Sequence, residues 1–599
     1  MIAFYDFEVF KHDWLVVFKT TSHVYKIHND RDKLKKILKN FSLLIGFNNH
    51  NYDDYILAEL LRDKVVTEVY DLSQSIVIDK IKPKIRLNFP TIDVMQEMKQ
   101  GVGLKEIEAN LKLNIHETPV NFNLKRKLFD HEIEKTFRYC ENDVKVTETI
   151  FNLRSDYFQS KFEIIQEFGL DSMCVKNTRA ILASKVLKCK KINLPNDRLN
   201  LTYDKRLDLD KIPEIIRNFY IDIEKKFNAG GNFEELEKEQ LEYNLNGVPH
   251  FFGFGGLHGA VDNLIYEGNM LCIDVGSYYP SLMINNNFIS RASESPELYK
   301  NLYKKRMEYK AKKDGRQQVY KILLNATFGA MKSGFNKLFD PVQSNNICVN
   351  GQLILTDLII RISSLCKIIQ SNTDGLIVAY DEKDLEKILK ICKEWENQYN
   401  LTLDYDYAVK IAQRDVNNYC LKYKNGKIKT KGRFGYNEGG NFERTSLSII
   451  DMALTEYYMN DRDIDLYLIE QYKNNNIIPF QLIAKMGGTF SKIMHEIYEE
   501  KSDNDRNWQD QGYSHMIELQ KINRVFATND KKYGALYKIK IEDGVERFHK
   551  IANCPENAIV HNEEMETFDK SLINLNYYSE LIKLNMIKRE VGLNDFNTG

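Results

Sequence analysis

A lone carboxylate ends an apolar run and leads into a tight aromatic turn in Asp274-Val-Gly-Ser-Tyr-Tyr-Pro-Ser281. About a hundred residues later, Gln370-Ser-Asn-Thr-Asp-Gly375 sets Asp374 between apolar runs around Ile368 and Ile377, which predicts a β-hairpin with the acid at its tip. Two such acids can share a pair of divalent ions, as a metal-dependent nucleotidyl transferase requires. A second, independent set lies near the start of the chain. Asp6 and Glu8 are two apart in a predicted strand, so both carboxylates point to one face. Asp53 closes the run Asn49-His-Asn-Tyr-Asp53, and Asp143 follows Tyr139 by one turn of a predicted helix. Four acids meeting in one place would repel and take up protons unless divalent ions neutralised them. Two ions about 3.5–4 Å apart would activate a water and stabilise a leaving oxygen in an in-line displacement.

The elements that must position these residues follow from hydrophobic periodicity. Residues 1 to about 155 alternate short apolar strands (Ile2 to Phe7, Trp14 to Phe18, Leu43 to Phe47) with helical patterns (Asp32 to Asn40, Asp54 to Arg62, Gly103 to Lys112, Glu132 to Asn152), an α/β arrangement. Residues 156–250 read as mostly helical and charged. From there Phe251-Phe-Gly-Phe-Gly-Gly-Leu-His-Gly-Ala260 leads through a predicted hairpin at Glu267-Gly268 into the strand that ends at Asp274. Residues 297–335 predict two long helices joined near Asp314-Gly315, and 350–435 predict strands and hairpins. The stretch from about 440 to 599 predicts a largely helical end with no motif of its own, and the chain has no internal repeat or low-complexity tract.

With 599 residues the chain can bury several cores, and 43% hydrophobic, 28% charged and 11 prolines exclude a disordered protein. A net charge of -1 gives no global pull toward nucleic acid, so any DNA-binding surface must be a local basic groove. The nine cysteines form no CxxC pair, so neither a zinc site nor a disulfide framework is indicated, and a reducing cytoplasm is the expected location. The start has no basic leader and no apolar run approaches the ~18 residues of a membrane span, so no membrane association is expected.

On these residues the chain resembles the family B (Pol α-like) DNA polymerases. Asp274–Ser281 is similar to their DxxSLYPS motif A, and Gln370–Gly375 is similar in part to their YxDTDS motif C. Lys321-Ile-Leu-Leu-Asn-Ala-Thr-Phe-Gly329 resembles motif B, KxxxNSxYG; on a helix Lys321, Asn325 and Phe328 share a face. The first set resembles, in order, the three motifs of the DEDDy 3′→5′ proofreading exonucleases: D-x-E, N-x-x-(F/Y)-D and Y-x-x-x-D. The resemblance implies a multidomain α/β and α+β fold, an RNase H-like exonuclease domain followed by a right-hand polymerase. The exonuclease would occupy 1–155, a mostly helical connecting region 156–250, the palm 251–296 and 346–435, the fingers 297–345, and the thumb with a C-terminal helical region 436–599.

The resemblance also implies roles. Asp274 and Asp374, with Val275, would hold two Mg²⁺ ions, and Asp6, Glu8, Asp53 and Asp143 two more, Mn²⁺ being able to substitute. Tyr139 would orient the attacking water. Lys321, Asn325, Arg306, Lys310, Val275, Ser277 and Tyr278 would meet the incoming nucleotide, and Tyr279 would stand under its sugar and exclude a 2′-hydroxyl. Gly255 and Gly256 fall where the family carries its YxGG/A segment. Lys427-Ile-Lys-Thr-Lys-Gly-Arg433 resembles the family's lysine-containing primer-end region. Gly255, Gly256, Lys431 and Asn49 are thus expected at DNA, while His258 reads as structural. Primer-template DNA, dNTPs and other phage replication proteins would be the partners of a monomer in the cytoplasm of a bacterial host.

Two departures matter. Asn372 stands where motif C has its first aspartate and Gly375 where it has serine, but Asp374 keeps the place of the principal ligand, so activity is expected to survive. About 47 residues separate Asp274 from Lys321, which leaves no room for the insertion that marks protein-primed phage polymerases and points to a compact phage-type or mobile-element enzyme. A family A polymerase would show a DYSxIELR-like motif A, which is absent. The serious alternative is a 3′→5′ exonuclease whose degenerate polymerase half only binds DNA. A non-catalytic nucleic-acid-binding protein would require all six acids to fall in motif context by coincidence.

Overall fold

Strand β1 (Ile2–Val9) is apolar at most positions and is buried along most of its length, as a central strand covered on both faces must be. It runs antiparallel to β2 (Trp14–Lys19) and parallel to β4 (Leu43–Gly46), while β3 (Val24–His28) pairs with β2 and β5 (Thr91–Asp93) with β4. The order β3-β2-β1-β4-β5 is that of an RNase H-like sheet. One face, with Phe4, Leu15, Val17 and Ile45, packs on apolar residues of α5 (Asp130–Leu153), and α4 (Leu104–Asn110) and α6 (Ser155–Glu167) add Ile107 and Phe158. The other, with Tyr5, Phe7, Val16 and Leu44, packs on α1 (Arg31–Leu38), α2 (Asp53–Leu61) and α3 (Val66–Val77). The computed structural model describes residues 1–98, 101–118, 120–193, 197–435, 447–499 and 513–588. Met1–Lys176 and Asp463–Asn585 fall in one compact unit and Asn177–Gly435 in another.

The second unit opens with helices α7 (Arg179–Val186), α8 (Glu214–Asn228) and α9 (Phe233–Leu236). Its core is a nine-stranded sheet of β6 (Leu241–Leu245), β7 (Val248–Phe252), β8 (Leu257–Ala260), β9 (Leu264–Val275), β10 (Cys366–Thr373), β11 (Gly375–Tyr380), β12 (Leu403–Asp415), β13 (Asn418–Tyr423) and β14 (Ile428–Lys431). The order is β14-β13-β12-β9-β11-β10-β8-β7-β6, which sets β9 between β12 and β11. Helices α10 (Tyr278–Asn285), α11 (Pro296–Ala311), α12 (Gln317–Met331), α13 (Pro341–Ile362) and α14 (Leu385–Tyr399) belong to the same unit. Ser295 and Asp340 cap α11 and α13, each followed by proline in the first turn, where its missing N–H costs nothing.

Three expectations are corrected. Glu267-Gly268 makes no hairpin: β9 runs on through it, and the register against β12 slips between Ala408 and Lys410, so the glycine serves a bulge. A Cβ on Gly268 would lie 2.6 Å from the Tyr266 hydroxyl. The 350–435 region is not strands alone: its first part continues α13, whose residues from Ser344 to Ile359 are all buried, an all-round burial that hides helical periodicity. The C-terminal stretch is mixed where a largely helical end was expected: helices α15 (Ser448–Asn460), α16 (Ile464–Lys473) and α17 (Leu575–Leu584) accompany seven strands, β15 (Leu482–Lys485), β16 (Lys492–Glu499), β17 (Tyr513–Leu519), β18 (Ile522–Ala527), β19 (Tyr533–Glu542), β20 (Val545–Lys550) and β21 (Ala558–Val560). Runs such as Lys538-Ile-Lys-Ile541 alternate with period two, and charge at every second place masks them as helix surface. These strands form two sheets, β15-β18-β21 and β17-β16-β19-β20. Within the first unit the fully buried Arg524 of β18 donates to the carbonyls of Ala109 and Leu113 at the end of α4, at 3.1 and 2.9 Å.

All nine cysteines are buried and unpaired. Among the described residues no helix is long and apolar enough to cross a membrane.

Candidate active sites

Asp274 lies at the end of β9, in register with Gly375 on one side and Asp404 on the other. Asp374 sits beside it in the two-residue turn between β10 and β11, where its carbonyl accepts from the Val275 N–H at 2.7 Å. The turn forces a β-branched residue into the left-handed region, Thr373 at φ 63, a strain that needs outside support. His258 supplies it, with Nε2 3.0 Å from Thr373 Oγ1, which gives the histidine its structural place. A Cβ on Gly256 would come within 2.6 Å of the same hydroxyl. The close approach that Gly256 allows is therefore to this turn, whereas Gly255 faces open space. The loop of both glycines is pinned by buried Gln352, whose Nε2 donates to the Gly255 and Gly256 carbonyls at 3.1 and 3.2 Å.

The two departures from motif C have local causes. The volume that a side chain at 375 would need is taken by the Asp274 carboxylate, whose Oδ1 is the first atom a Cβ there would strike. Asn372 donates its Nδ2–H to the Val416 carbonyl at 3.1 Å, a bond an ionised aspartate cannot make.

The acid pair opens on a cleft of about 420 Å³ lined by Cys272, Asn372, Tyr419, Lys429 and Lys431 among others. Lys429 and Lys431, two apart on β14, share a face. Both acids reach solvent at the cleft mouth, yet the surrounding walls desolvate them and push their carboxyls above the ordinary value; Lys429 opposes this. For Asp274 the charges of Asp374, Asp406 and Asp404 add to the rise. Asp404 and Asp406 escaped the sequence reading, and Lys429 lay unchosen inside the basic run that supplied Lys431. Their alternation, Asp-Tyr-Asp and Lys-Thr-Lys, was visible, but only strand order brings them to Asp274.

Around this pair the nucleotide candidates fall into groups. Tyr279 meets Phe328 with ring centroids 4.3 Å apart, which joins the motif A turn to the motif B helix. Tyr278 is buried, its hydroxyl donating to the Gly351 carbonyl at 2.6 Å. Lys321 and Asn325 lie exposed on α12, opposite the buried Leu323, Leu324 and Thr327. Arg306 is buried on α11 and donates to Ser277 Oγ at 2.6 Å, while its Nε has no partner. Lys310, one turn on, is exposed. Among the described residues no hydrogen bond or ion pair ties Lys321, Asn325 or Lys310 to the acid pair.

In the first unit the even positions of β1 face α5. Ligand atoms of Asp6, Glu8 and Cys140 lie within 4.8 Å of one another, and the Cys140 thiol donates to Asp6. Asp53 opens α2 and accepts from the Phe7 N–H at 3.0 Å, which holds it against the same strand. Asp143 on α5 takes the Lys105 ammonium at 2.6 Å; that cation also reaches Glu108 at 2.9 Å and lies 4.6 Å from the centre of the Tyr139 ring. Burial is the main force on these acids and lifts Glu8, Asp53 and Asp143 above the ordinary carboxylate range, and Asp6 to about 8. The charge of Asp143 adds to the rise of Asp6, and that of Asp6 to the rise of Glu8 and Asp53. Lys105 and Glu108, the latter fully buried with one oxygen unpartnered, also escaped the sequence reading, since nothing marks them among ordinary helix charges. Asn49, expected at DNA, is instead fully buried and donates to Asp54 at 3.1 Å. Asp54 further accepts from Tyr5 and Thr91, so Asn49 belongs to the floor beneath the site.

Both acid sets suit hard divalent cations. The donors are carboxylate oxygens, and in the first unit four acids that burial drives toward protonation have one lysine as nearby counter-charge.

No family model matches the chain. Over 142 residues it is 28% identical to DNA polymerase 1 of Sulfolobus acidocaldarius, a match that covers 22% of this chain and 16% of that relative. A solved structure similar to it is the family B DNA polymerase from the hyperthermophilic archaeon Pyrobaculum calidifontis, at 12% identity and a TM-score of 0.41, over 98% of this chain and 77% of that one.

Proposed function

We propose that the chain is a template-directed DNA polymerase of the family B kind with a DEDDy 3′→5′ proofreading exonuclease, working in the replication of a phage or mobile-element genome. The observation that carries this reading is the adjacency of Asp274 and Asp374 across β9 and β11, on a cleft lined by Lys429 and Lys431. In this reading 1–155 is the exonuclease domain, 156–250 the connecting region, 251–296 and 346–435 the palm, 297–345 the fingers and 436–599 the thumb region.

Asp274 and Asp374, with Val275, would hold two Mg²⁺ ions, and Asp6, Glu8, Asp53 and Asp143 two more. Bound ions would supply Lewis-acid activation of the attacking oxygen and neutralise charge on the leaving group. The rest falls to the chain. Tyr279, braced by Phe328, closes the floor beneath the sugar and leaves no room for a 2′-hydroxyl. Lys321, Asn325, Arg306 and Lys310 offer donors to the triphosphate, and Lys429 and Lys431 hold the primer backbone. In the nuclease, Tyr139 and Lys105 orient the attacking water beside Asp143.

The test is a labelled primer on a recessed template with Mg²⁺, with and without dNTPs. Extension with dNTPs and shortening without them is the expected result. Asp374→Asn should abolish extension alone, and Asp6→Ala shortening alone. The second reading, a nuclease with a degenerate polymerase half, is favoured by the charge lost at Asn372. Shortening that persists with dNTPs present would establish it.

A further inference from the structure

Between α3 and β5 the chain reads Lys80-Ile-Lys-Pro-Lys-Ile-Arg-Leu87. Proline fixes its own φ and bars Lys82 from helix, and residues 81–88 lie outside any helix or strand. Its residues alternate. Ile85, Leu87 and Phe89 pack into the core beneath the sheet, and the Lys176 ammonium donates to the Leu87 carbonyl at 2.9 Å. Lys82, Lys84 and Arg86 point the other way and are exposed. Among the described residues none of these three has an ion-pair partner, so all three charges are open to solvent. Successive cations on one side of an extended segment stand about 6.6–6.8 Å apart, comparable with the step between phosphates along one nucleic-acid strand.

We propose that Lys82, Lys84 and Arg86 form a phosphate-binding strip that tracks the backbone of a DNA strand outside the catalytic clefts. The identity of the polyanion rests on the function proposed above; the strip itself does not. Its place is set by register: Thr91, which follows the strip, is level with Leu44 and so with Ala3, at the end of β1 remote from Glu8. The strip therefore adds affinity without touching the reacting atoms, and it is the kind of local basic surface that a chain of net charge -1 requires.

The test uses the full chain with Lys82→Ser, Lys84→Ser and Arg86→Ser combined. Binding to a short fluorescent single strand and to its duplex is measured in EDTA from about 50 to 200 mM salt. Each lost phosphate contact lowers the log–log salt slope by about 0.7 to 0.9, so three should make it shallower by at least about 2. Extrapolated from 1 M salt, that is about 100-fold weaker binding at 0.1 M. A shallower slope on either DNA form supports the strip and names the form it holds. A slope unchanged on both overturns it. If the triple variant does not melt like the parent, the single substitutions serve, each expected to remove about 0.7 to 0.9, and no change in any of them is equally fatal. Swapping each lysine for arginine and the arginine for lysine should keep the slope. Failure of the parent to extend a primer would sink the polymerase reading and leave this result standing.

Discussion

Replacing Asn372 by aspartate, the residue motif C carries there, should weaken this protein. Asn372 donates to the Val416 carbonyl at 3.1 Å in a partly buried setting. An ionised aspartate has no proton to give, so the bond is lost and a negative oxygen faces a carbonyl. Loss of one such bond costs about 0.5–1.5 kcal/mol, and leaving its acceptor unpaired raises this to about 1–3 kcal/mol. The new charge also joins Asp274, Asp374, Asp404 and Asp406, against Lys429 and Lys431. At about 2–4 °C per kcal/mol for a domain of 150–250 residues, melting should fall by roughly 2–12 °C. Thermal unfolding in EDTA is the assay, because chelation removes any ion that a new carboxylate would recruit. Asn372→Ala is the control: it loses the same bond without gaining charge and should fall less. Asn372→Asp melting at or above the parent temperature in EDTA would refute the reasoning. Extension at least about tenfold faster than the parent with Mg²⁺ would show that position 372 wants a ligand.

Three further outcomes are expected. Gly375→Ala drives a methyl into the Asp274 carboxylate, so single-turnover extension should drop by at least about 100-fold, roughly 3 kcal/mol, while shortening is untouched; normal extension would mean Asp274 can relocate without cost. With Asp6 at about 8 and Glu8, Asp53 and Asp143 raised, the folded chain binds more protons than the unfolded one from about pH 4 to pH 8, so stability in EDTA should fall as pH rises through that window. Mg²⁺ should then raise the melting temperature more at pH 8 than at pH 5, and equal increments would contradict an ion site on these acids. Arg524→Leu strips its donors from the carbonyls of Ala109, Leu113 and Glu563 and, at about 1–3 kcal/mol for each buried acceptor left unpaired, should cost at least about 3 kcal/mol, read by denaturant unfolding of the full chain. A loss under 1 kcal/mol would mean those carbonyls find water.

What could be read from the sequence follows from where each residue's partners lie. Asp6 with Glu8 and Tyr139 with Asp143 are set by local periodicity, and so is the face of Lys321, Asn325 and Phe328. The Asp374 turn was legible for the same reason, because a two-residue hairpin is decided by its own residues. Lys105, Asp404 and Lys429 were not, since each is an ordinary surface charge until a distant element places it against an acid. Their spacing carries no record of that placement. The bulge at Gly268 and the strands from 482 to 560 were misread because Glu-Gly suits a turn as well as a bulge, and alternating lysines imitate a helix surface.

Asn372 shows how far a motif can mislead when its partner is not in it. By pattern it is an acid lost from a catalytic hairpin, which argues for a decayed site. By contact it is a donor whose acceptor, Val416, lies 44 residues away in the link between β12 and β13. That link leads into β13, which pairs with β14, the strand of Lys429 and Lys431. The same substitution that removes a charge from the acid pair thus fastens the strands that return positive charge to it. Gly375, Thr373 and Gly256 support the same conclusion, since each is shaped to let the turn press against Asp274 and β8. A hairpin held strained by its neighbours on both sides is fitted to this carboxylate pair, and that fit supports the polymerase reading proposed above over that of a relic.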